Sequence, residues 1–291
     1  MLIIGCSHGT HLAAKVAKKL KKPYSELKAD KFPDGELYIR FMKNVKDKVV
    51  VLIQSFYGDI NGCLIEVLFA ANTAKELGAK KVILVAPYFP YLRQDKRFKP
   101  GECISIKVIG KFIDRIFDRV YIIDPHLHRQ KALSSLFKTR AVKLTSNSCI
   151  ASYIKNKIKN PVVIGPDWES YKWAGKAADI IGCKSYILEK KRYSGRKVKV
   201  TISKKIDLRG KNVVLVDDII STGNTLIEAM KNLKRLGAGK FDIVAVHGIF
   251  VENALEKLRK MNAKVITTNT TPNKAAKIDL SGLIAENLKN Q

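Results

Sequence analysis

Residues 213–226, VVLVDDIISTGNTL, set two adjacent carboxylates, Asp217 and Asp218, between a run of apolar residues and a turn of small hydroxylated ones. The pattern predicts a buried strand, a loop and a helix N-terminus. Ser221, Thr222, Gly223, Asn224 and Thr225 can turn backbone N–H groups and hydroxyls toward one point, where the helix end adds a field that favours an anion. A phosphate suits that arrangement. The carboxylates cannot hold the phosphate, but they can accept hydrogen bonds from sugar hydroxyls or hold a hard cation. A strand followed by a helix with a Ser, Thr or Asn cap is ordinary in α/β proteins. Paired aspartates at the carboxyl end of a central strand are not, because they cost free energy unless a ligand or metal uses them. The segment therefore predicts a site for a phosphorylated sugar.

Other polar segments also follow apolar runs. Phe32-Pro33-Asp34-Gly35-Glu36 is a turn carrying two carboxylates, and as sequence it reads first as a hairpin. Residues 87–102, PYFPYLRQDKRFKPGE, stand where a ligand loop belongs and include Arg93, Lys96, Arg97 and Lys99. Asp124-Pro125-His126-Leu127-His128 matches the D-x-H-x-H opening of zinc amidohydrolase sites. That chemistry needs further histidines, and after His128 the chain supplies only His247. Asp167, in Gly165-Pro166-Asp167, suits a helix N-cap. Glu189-Lys190-Lys191-Arg192 opens a basic stretch reaching Lys199, a pattern that is usually a solvated face. Neither a P-loop nor a G-x-G-x-x-G fingerprint occurs.

The elements that must position these residues are short apolar runs alternating with helical periodicity. Strands are predicted at 2–4, 49–53, 82–86 and 120–123, then at 162–164, 185–188, 213–216, 243–246 and 265–267. Residues 63–77 and 224–236 carry apolar residues at helical spacing. A βα alternation predicts mainly parallel sheets flanked by helices. The two halves share element order without visible sequence repetition, so two related α/β domains are expected, 1–145 and 146–291, meeting near 143–148.

Composition narrows the classes further. No stretch approaches the roughly 18 apolar residues of a membrane span, and the N-terminus lacks a basic leader, so a cytoplasmic protein with no membrane partner is expected. Five scattered cysteines without a C-x-x-C pair exclude a disulfide framework or zinc ribbon as the expected class. The formal charge of +28 raises nucleic-acid binding as a hypothesis. The cations are spread along the chain with no aromatic-interleaved RNA motif, so attraction of polyphosphate substrates is the preferred reading and nucleic acid is not an expected partner.

The 213–226 segment resembles the phosphoribosyl-diphosphate motif shared by type I phosphoribosyltransferases and ribose-phosphate pyrophosphokinases. The remaining segments match the second branch in its order: F-x-D-G-E, the P-Y-x-x-Y-x-R-Q-D run, D-L-H (here with proline for leucine), P-D and [DE]-K-x-R. The resemblance implies two phosphoribosyltransferase-like domains, an ATP-side one and a ribose-5-phosphate-binding one. It implies a transfer of the β,γ-diphosphoryl group of ATP to the 1-hydroxyl of ribose 5-phosphate, yielding phosphoribosyl diphosphate and AMP. It puts Asp34, Gly35, Glu36, Arg93 and Gln94 on ATP, the first three reaching a neighbouring subunit of a homo-oligomer. His126, with Asp124, and Asp167 are implied at Mg2+, and Lys190 and Arg192 over the transferring group. Asp217, Asp218, residues 221–225 and Arg192 are implied on ribose 5-phosphate; His128 has no assigned role. The alternatives are a phosphoribosyltransferase that consumes phosphoribosyl diphosphate, which needs none of the first-half motifs, and a non-catalytic synthetase-associated subunit, which would not need Lys190, Arg192 and Asp217 intact.

Overall fold

The computed structural model describes residues 1–127, 132–168, 170–194, 197–202 and 206–291, with the side chains of 189–194 and 197–202 outside that description. His128 therefore lies outside the described residues, as do the side chains of Lys190 and Arg192. Two compact units form, one from Met1–Thr145, Thr270–Pro272 and Leu280–Gln291, the other from Ser146–Asn269 and Asn273–Asp279.

The first unit contains β1 (Leu2–Gly5), α1 (Thr10–Leu20), β2 (Tyr24–Lys31), β3 (Leu37–Phe41), β4 (Val49–Ile53), α2 (Ile60–Glu76), β5 (Lys81–Ala86), α3 (Ser105–Ile116), β6 (Arg119–Ile123) and β7 (Arg140–Leu144). The second contains α4 (Asn147–Lys157), β8 (Pro161–Gly165), α5 (Tyr171–Ile181), β9 (Ser185–Ser194), β10 (Lys197–Ile202), β11 (Asn212–Ile220), α6 (Asn224–Lys234), β12 (Lys240–Gly248), α7 (Ala254–Lys260), β13 (Ala263–Thr268) and β14 (Ala276–Ile278). A last helix, α8 (Ser281–Leu288), belongs to the first unit.

Each unit is built on a seven-stranded sheet, ordered β3-β2-β1-β4-β5-β6-β7 in one and β10-β9-β8-β11-β12-β13-β14 in the other. These are the same topology. All pairings are parallel except β2 with β3 and β9 with β10, the two edge hairpins. Strands 49–53 and 213–216 read as unbroken apolar runs because helices cover both faces of a parallel sheet.

In the first unit Leu2, Ile4, Leu52, Leu84 and Ile122 pack with Val67 and Ala71 of α2 and Ile106 and Ile113 of α3. The opposite face carries Tyr121, whose hydroxyl donates to the carbonyl oxygen of Asn287 at 3.2 Å. α8 also packs against α1. Thus the chain returns after 279 to the first unit, where the sequence boundary ran the second domain through to 291. The remaining uncovered face of the first sheet is the physical reason.

Strands β2, β7, β10 and β14 have no counterpart among the strands predicted from sequence, and β3 is an arm of the hairpin expected at 32–36. β2 reads YSELKADK with a largely exposed outer half, so its apolar signal is thin. β9 extends past the predicted 185–188 because it pairs with β10 through Lys190↔Val200 and Arg192↔Val198. The basic stretch is therefore an antiparallel hairpin over its described part.

Candidate active site

In the second sheet the chain leaves β8 toward β9 and leaves β11 toward β12, so the order reverses between the adjacent strands β8 and β11. Such a switch point opens a crevice outside the carboxyl ends of the two strands. Asp167 follows β8, and Asp217 and Asp218 stand near the end of β11 with the 221–225 loop beyond them. The sequence-predicted sugar site thus falls where the topology makes a cleft.

Asp217 and Asp218 are buried, 7% and 5% exposed. Ser170, absent from the sequence-predicted set, ties the cluster together. Its hydroxyl lies 2.6 Å from Asp167 Oδ1 and 2.9 Å from Asp217 Oδ1, while its N–H donates to Asp167 Oδ1 at 2.9 Å. The N–H of Asp218 donates to Asp217 Oδ1 at 2.9 Å. A hydroxyl has one hydrogen to give. Between two carboxylate oxygens, one of the two contacts therefore needs a proton on a carboxyl. Burial is the main force pushing the Asp217 carboxyl well above the usual carboxylate range, followed by the negative charges of Asp218 and Asp167; Ser170 and the Asp218 N–H pull the other way. A protonated Asp217 can donate to Ser170 Oγ, which then donates to Asp167.

The only signal for Ser170 in the sequence is its spacing three residues after Asp167. Asp167 does cap a backbone N–H as an N-cap residue would, although α5 itself begins at Tyr171, one residue after Ser170.

The loop beyond Asp217 and Asp218 opens onto a helix N-terminus. Gly223 is the N-cap of α6 with φ 76° and ψ 0°, a left-handed backbone that glycine adopts without strain. Among the described residues the N–H groups of Thr222, Gly223 and Asn224 have no backbone partner. Three unengaged donors at a helix N-terminus are what a phosphate requires.

The corresponding switch point of the first sheet lies between β1 and β4 and is built differently. There Asp59 caps α2 by accepting from the Gly62 N–H at 2.9 Å, so a carboxylate already occupies the helix end. Behind it the buried Glu66 accepts from the Ser7 N–H at 2.8 Å and from Gln54 Nε2 at 2.9 Å. The Asp59 carboxylate would repel an incoming phosphate, which separates the two halves chemically despite their shared topology.

The first-unit residues singled out from sequence also stand at the carboxyl ends of its strands. Asp34, Gly35 and Glu36 form the exposed tip of the β2–β3 hairpin, closed by Gly35 N–H to Phe32 O and Phe32 N–H to Glu36 O, both 2.8 Å. Arg93 is exposed in the loop after β5. Gln94 is engaged by its own loop: its amide lies 3.2 Å from Glu102 Oε2, which also accepts from the N–H groups of Phe98 and Lys99 at 2.7 and 3.1 Å. Glu102 thereby shapes the Arg93 loop, a role that spacing did not reveal. Asp124 directly follows β6, buried, with φ 36°, and His126 comes two residues later.

Asp167, Asp217 and Asp218 come together in the second unit, whereas Asp124 and His126 belong to the first. The donor set around Ser170 is all hard oxygen, which fits magnesium. Among the described residues no group of three or more His, Cys, Asp or Glu is preformed for a metal. Magnesium takes one or two carboxylates and completes its shell with water and substrate phosphates. No helix among the described residues is long and apolar enough to cross a membrane.

Two open α/β sheets of one topology, the second with an acidic strand end running into a glycine-capped helix N-terminus, define a protein of the phosphoribosyltransferase-like class. Residues 132–281 match the family model of the phosphoribosyl transferase domain, and residues 1–116 that of the N-terminal domain of ribose phosphate pyrophosphokinase. A ribose-phosphate pyrophosphokinase of Pyrococcus furiosus is 39% identical over 96% of this chain and 97% of its own. One from Methanothermobacter thermautotrophicus is 36% identical over 99% and 100%. Among solved structures, phosphoribosylpyrophosphate synthetase from Mycobacterium smegmatis superposes with a TM-score of 0.86 at 27% identity, covering 98% of this chain and 97% of that one. The chain belongs to the ribose-phosphate pyrophosphokinase family.

Proposed function

We propose that this enzyme transfers the β,γ-diphosphoryl group of ATP to the 1-hydroxyl of ribose 5-phosphate, giving phosphoribosyl diphosphate and AMP. The observation that carries the reading is the buried Asp217-Asp218 pair leading into three unengaged N–H donors around Gly223 at a sheet switch point. Residues 221–225 hold the 5-phosphate, and Asp217 and Asp218 accept from the sugar hydroxyls. Fixing the acceptor in this way aligns its 1-hydroxyl, and alignment supplies much of the rate of a phosphoryl-type transfer.

Domain 1–145, completed by α8, serves ATP, and the remainder of domain 146–291 serves ribose 5-phosphate. Asp34, Gly35 and Glu36 at the exposed hairpin tip, with Arg93 and Gln94, contact ATP; an exposed tip is free to reach a neighbouring copy in a homo-oligomer. Asp167 in the second unit and His126 and Asp124 in the first are the residues proposed to serve Mg2+, whose chemistry would be to neutralise and orient the triphosphate. Lys190 and Arg192, whose side chains are outside the described residues, are the cations proposed to stabilise charge on the transferring group. Five free thiols fit a cytoplasmic location.

The test is to mix the protein with ATP, magnesium and ribose 5-phosphate and to identify the nucleotide product. AMP supports the reading; ADP, or no nucleotide product, overturns it.

A further inference from the structure

The amino ends of the second sheet, opposite the candidate active site, carry a second feature. Asn212, Lys240 and Ala263 begin β11, β12 and β13, and with Ile158 and Lys159 before β8 they floor an open cleft of about 730 Å³. Lys157, Lys159, Lys240, Arg259 and Lys264 converge on it, against a single carboxylate, Asp242. None of the five cations is in a salt bridge among the described residues.

The ordinary account is that these cations balance the helix ends. α4 ends at Lys157 and α7 at Lys260, so both present carbonyl ends here. Each helix end amounts to roughly half a negative charge. With Asp242 that makes about two negative units facing five positive ones, leaving a surplus of about three. Helix capping therefore explains part of the cluster and not the rest. Concentrating the surplus in a concavity raises the local potential for an anion.

We propose that this cleft is a binding site for a compact polyphosphate anion, separate from the substrate site. Three surplus charges in a cleft of this volume match an anion carrying several phosphates rather than a single one. The one aromatic residue in the lining, Phe241, is 2% exposed and offers no face on which a base could stack. Single-stranded nucleic acid needs such platforms, so a polyphosphate is the better partner.

Inorganic tripolyphosphate is the probe, titrated at constant ionic strength into the full-length protein, with hydrogen exchange read on peptides covering 157–159, 240–242 and 259–264. Protection of these segments is expected. Lys240→Gln with Lys264→Gln should weaken this binding at least tenfold and leave the rate of AMP formation unchanged. Asp242→Asn should strengthen it, and an effect of opposite sign cannot come from misfolding. The proposal is overturned if protection is confined to 217–225, if the double variant binds as tightly as the parent, or if oligouridylate protects the same segments and displaces tripolyphosphate.

Discussion

Gly223→Ala separates backbone strain from packing at the proposed phosphate loop. A Cβ at 223 would sit 3.5 Å from Ala254 Cβ and from Leu258 Cδ1, ordinary van der Waals contact, so the substitution meets no clash. The cost is conformational: at φ 76° an L-residue is disfavoured by roughly 1–2 kcal/mol. If the loop holds its shape, that strain appears as lost stability, and each kcal/mol corresponds to about 2–4 °C in Tm for a domain of this size class. If the loop relaxes toward negative φ, stability recovers but the N–H groups of 222–224 turn away. Each charge-assisted hydrogen bond to phosphate is worth about 1.5–3 kcal/mol, so losing one raises KM for ribose 5-phosphate about tenfold or more. Thermal melts and steady-state kinetics with ribose 5-phosphate varied measure both outcomes. Gly223→Asn, which tolerates the left-handed region better, should suffer less on whichever axis moves. Parental Tm together with parental KM in Gly223→Ala, or an Asn variant no better than the Ala variant, would refute the reasoning.

At Gly9 the opposite holds: a Cβ would lie 1.7 Å from the Ile53 carbonyl oxygen, so Gly9→Ala must push β4 and the start of α1 apart and should cost several-fold more stability than Gly223→Ala in a denaturant melt. Asp217→Asn should raise Tm at neutral pH while abolishing AMP formation, because an amide, unlike the carboxyl, cannot ionise in this buried place beside Asp218 and Asp167. With the folded pKa of Asp217 above the unfolded one, its contribution to stability is fully present below the unfolded value and is lost as pH rises through the folded value. The Tm advantage of the Asn variant should therefore widen from acid toward neutral pH, and a constant gap would contradict the burial argument. Ser170→Ala leaves Asp167 and Asp217 without their shared hydroxyl and should cost about 1–3 kcal/mol in a urea melt. Lys190→Ala should lower kcat far more than it raises either KM, and near-normal turnover would remove Lys190 from the proposed chemistry.

Much of the fold was legible in the chain because parallel strands buried on both faces are unbroken apolar runs, and nine of these stand out by composition alone. Half-exposed or very short strands such as β2 and β14 were not, since their pairing supplies the order that their side chains do not advertise. The loop at 221–225 was legible for a local reason: strand, turn and helix start are contiguous, and glycine marks the left-handed residue. Ser170 and Glu102 were not, since each matters through atoms that only folding brings near.

By itself the sequence determined the strand, loop and helix start at 213–226, the paired carboxylates, the βα alternation and the ordered motifs of the family, all of them short-range in the chain. Only the tertiary structure decided that Asp167 shares a hydroxyl with Asp217, that the matching helix end of the first sheet is already filled by Asp59, and that the C-terminal helix closes the first unit. Those depend on which strand lies beside which, and strand order is set by the covering of sheet faces over the whole chain rather than by any local run of residues.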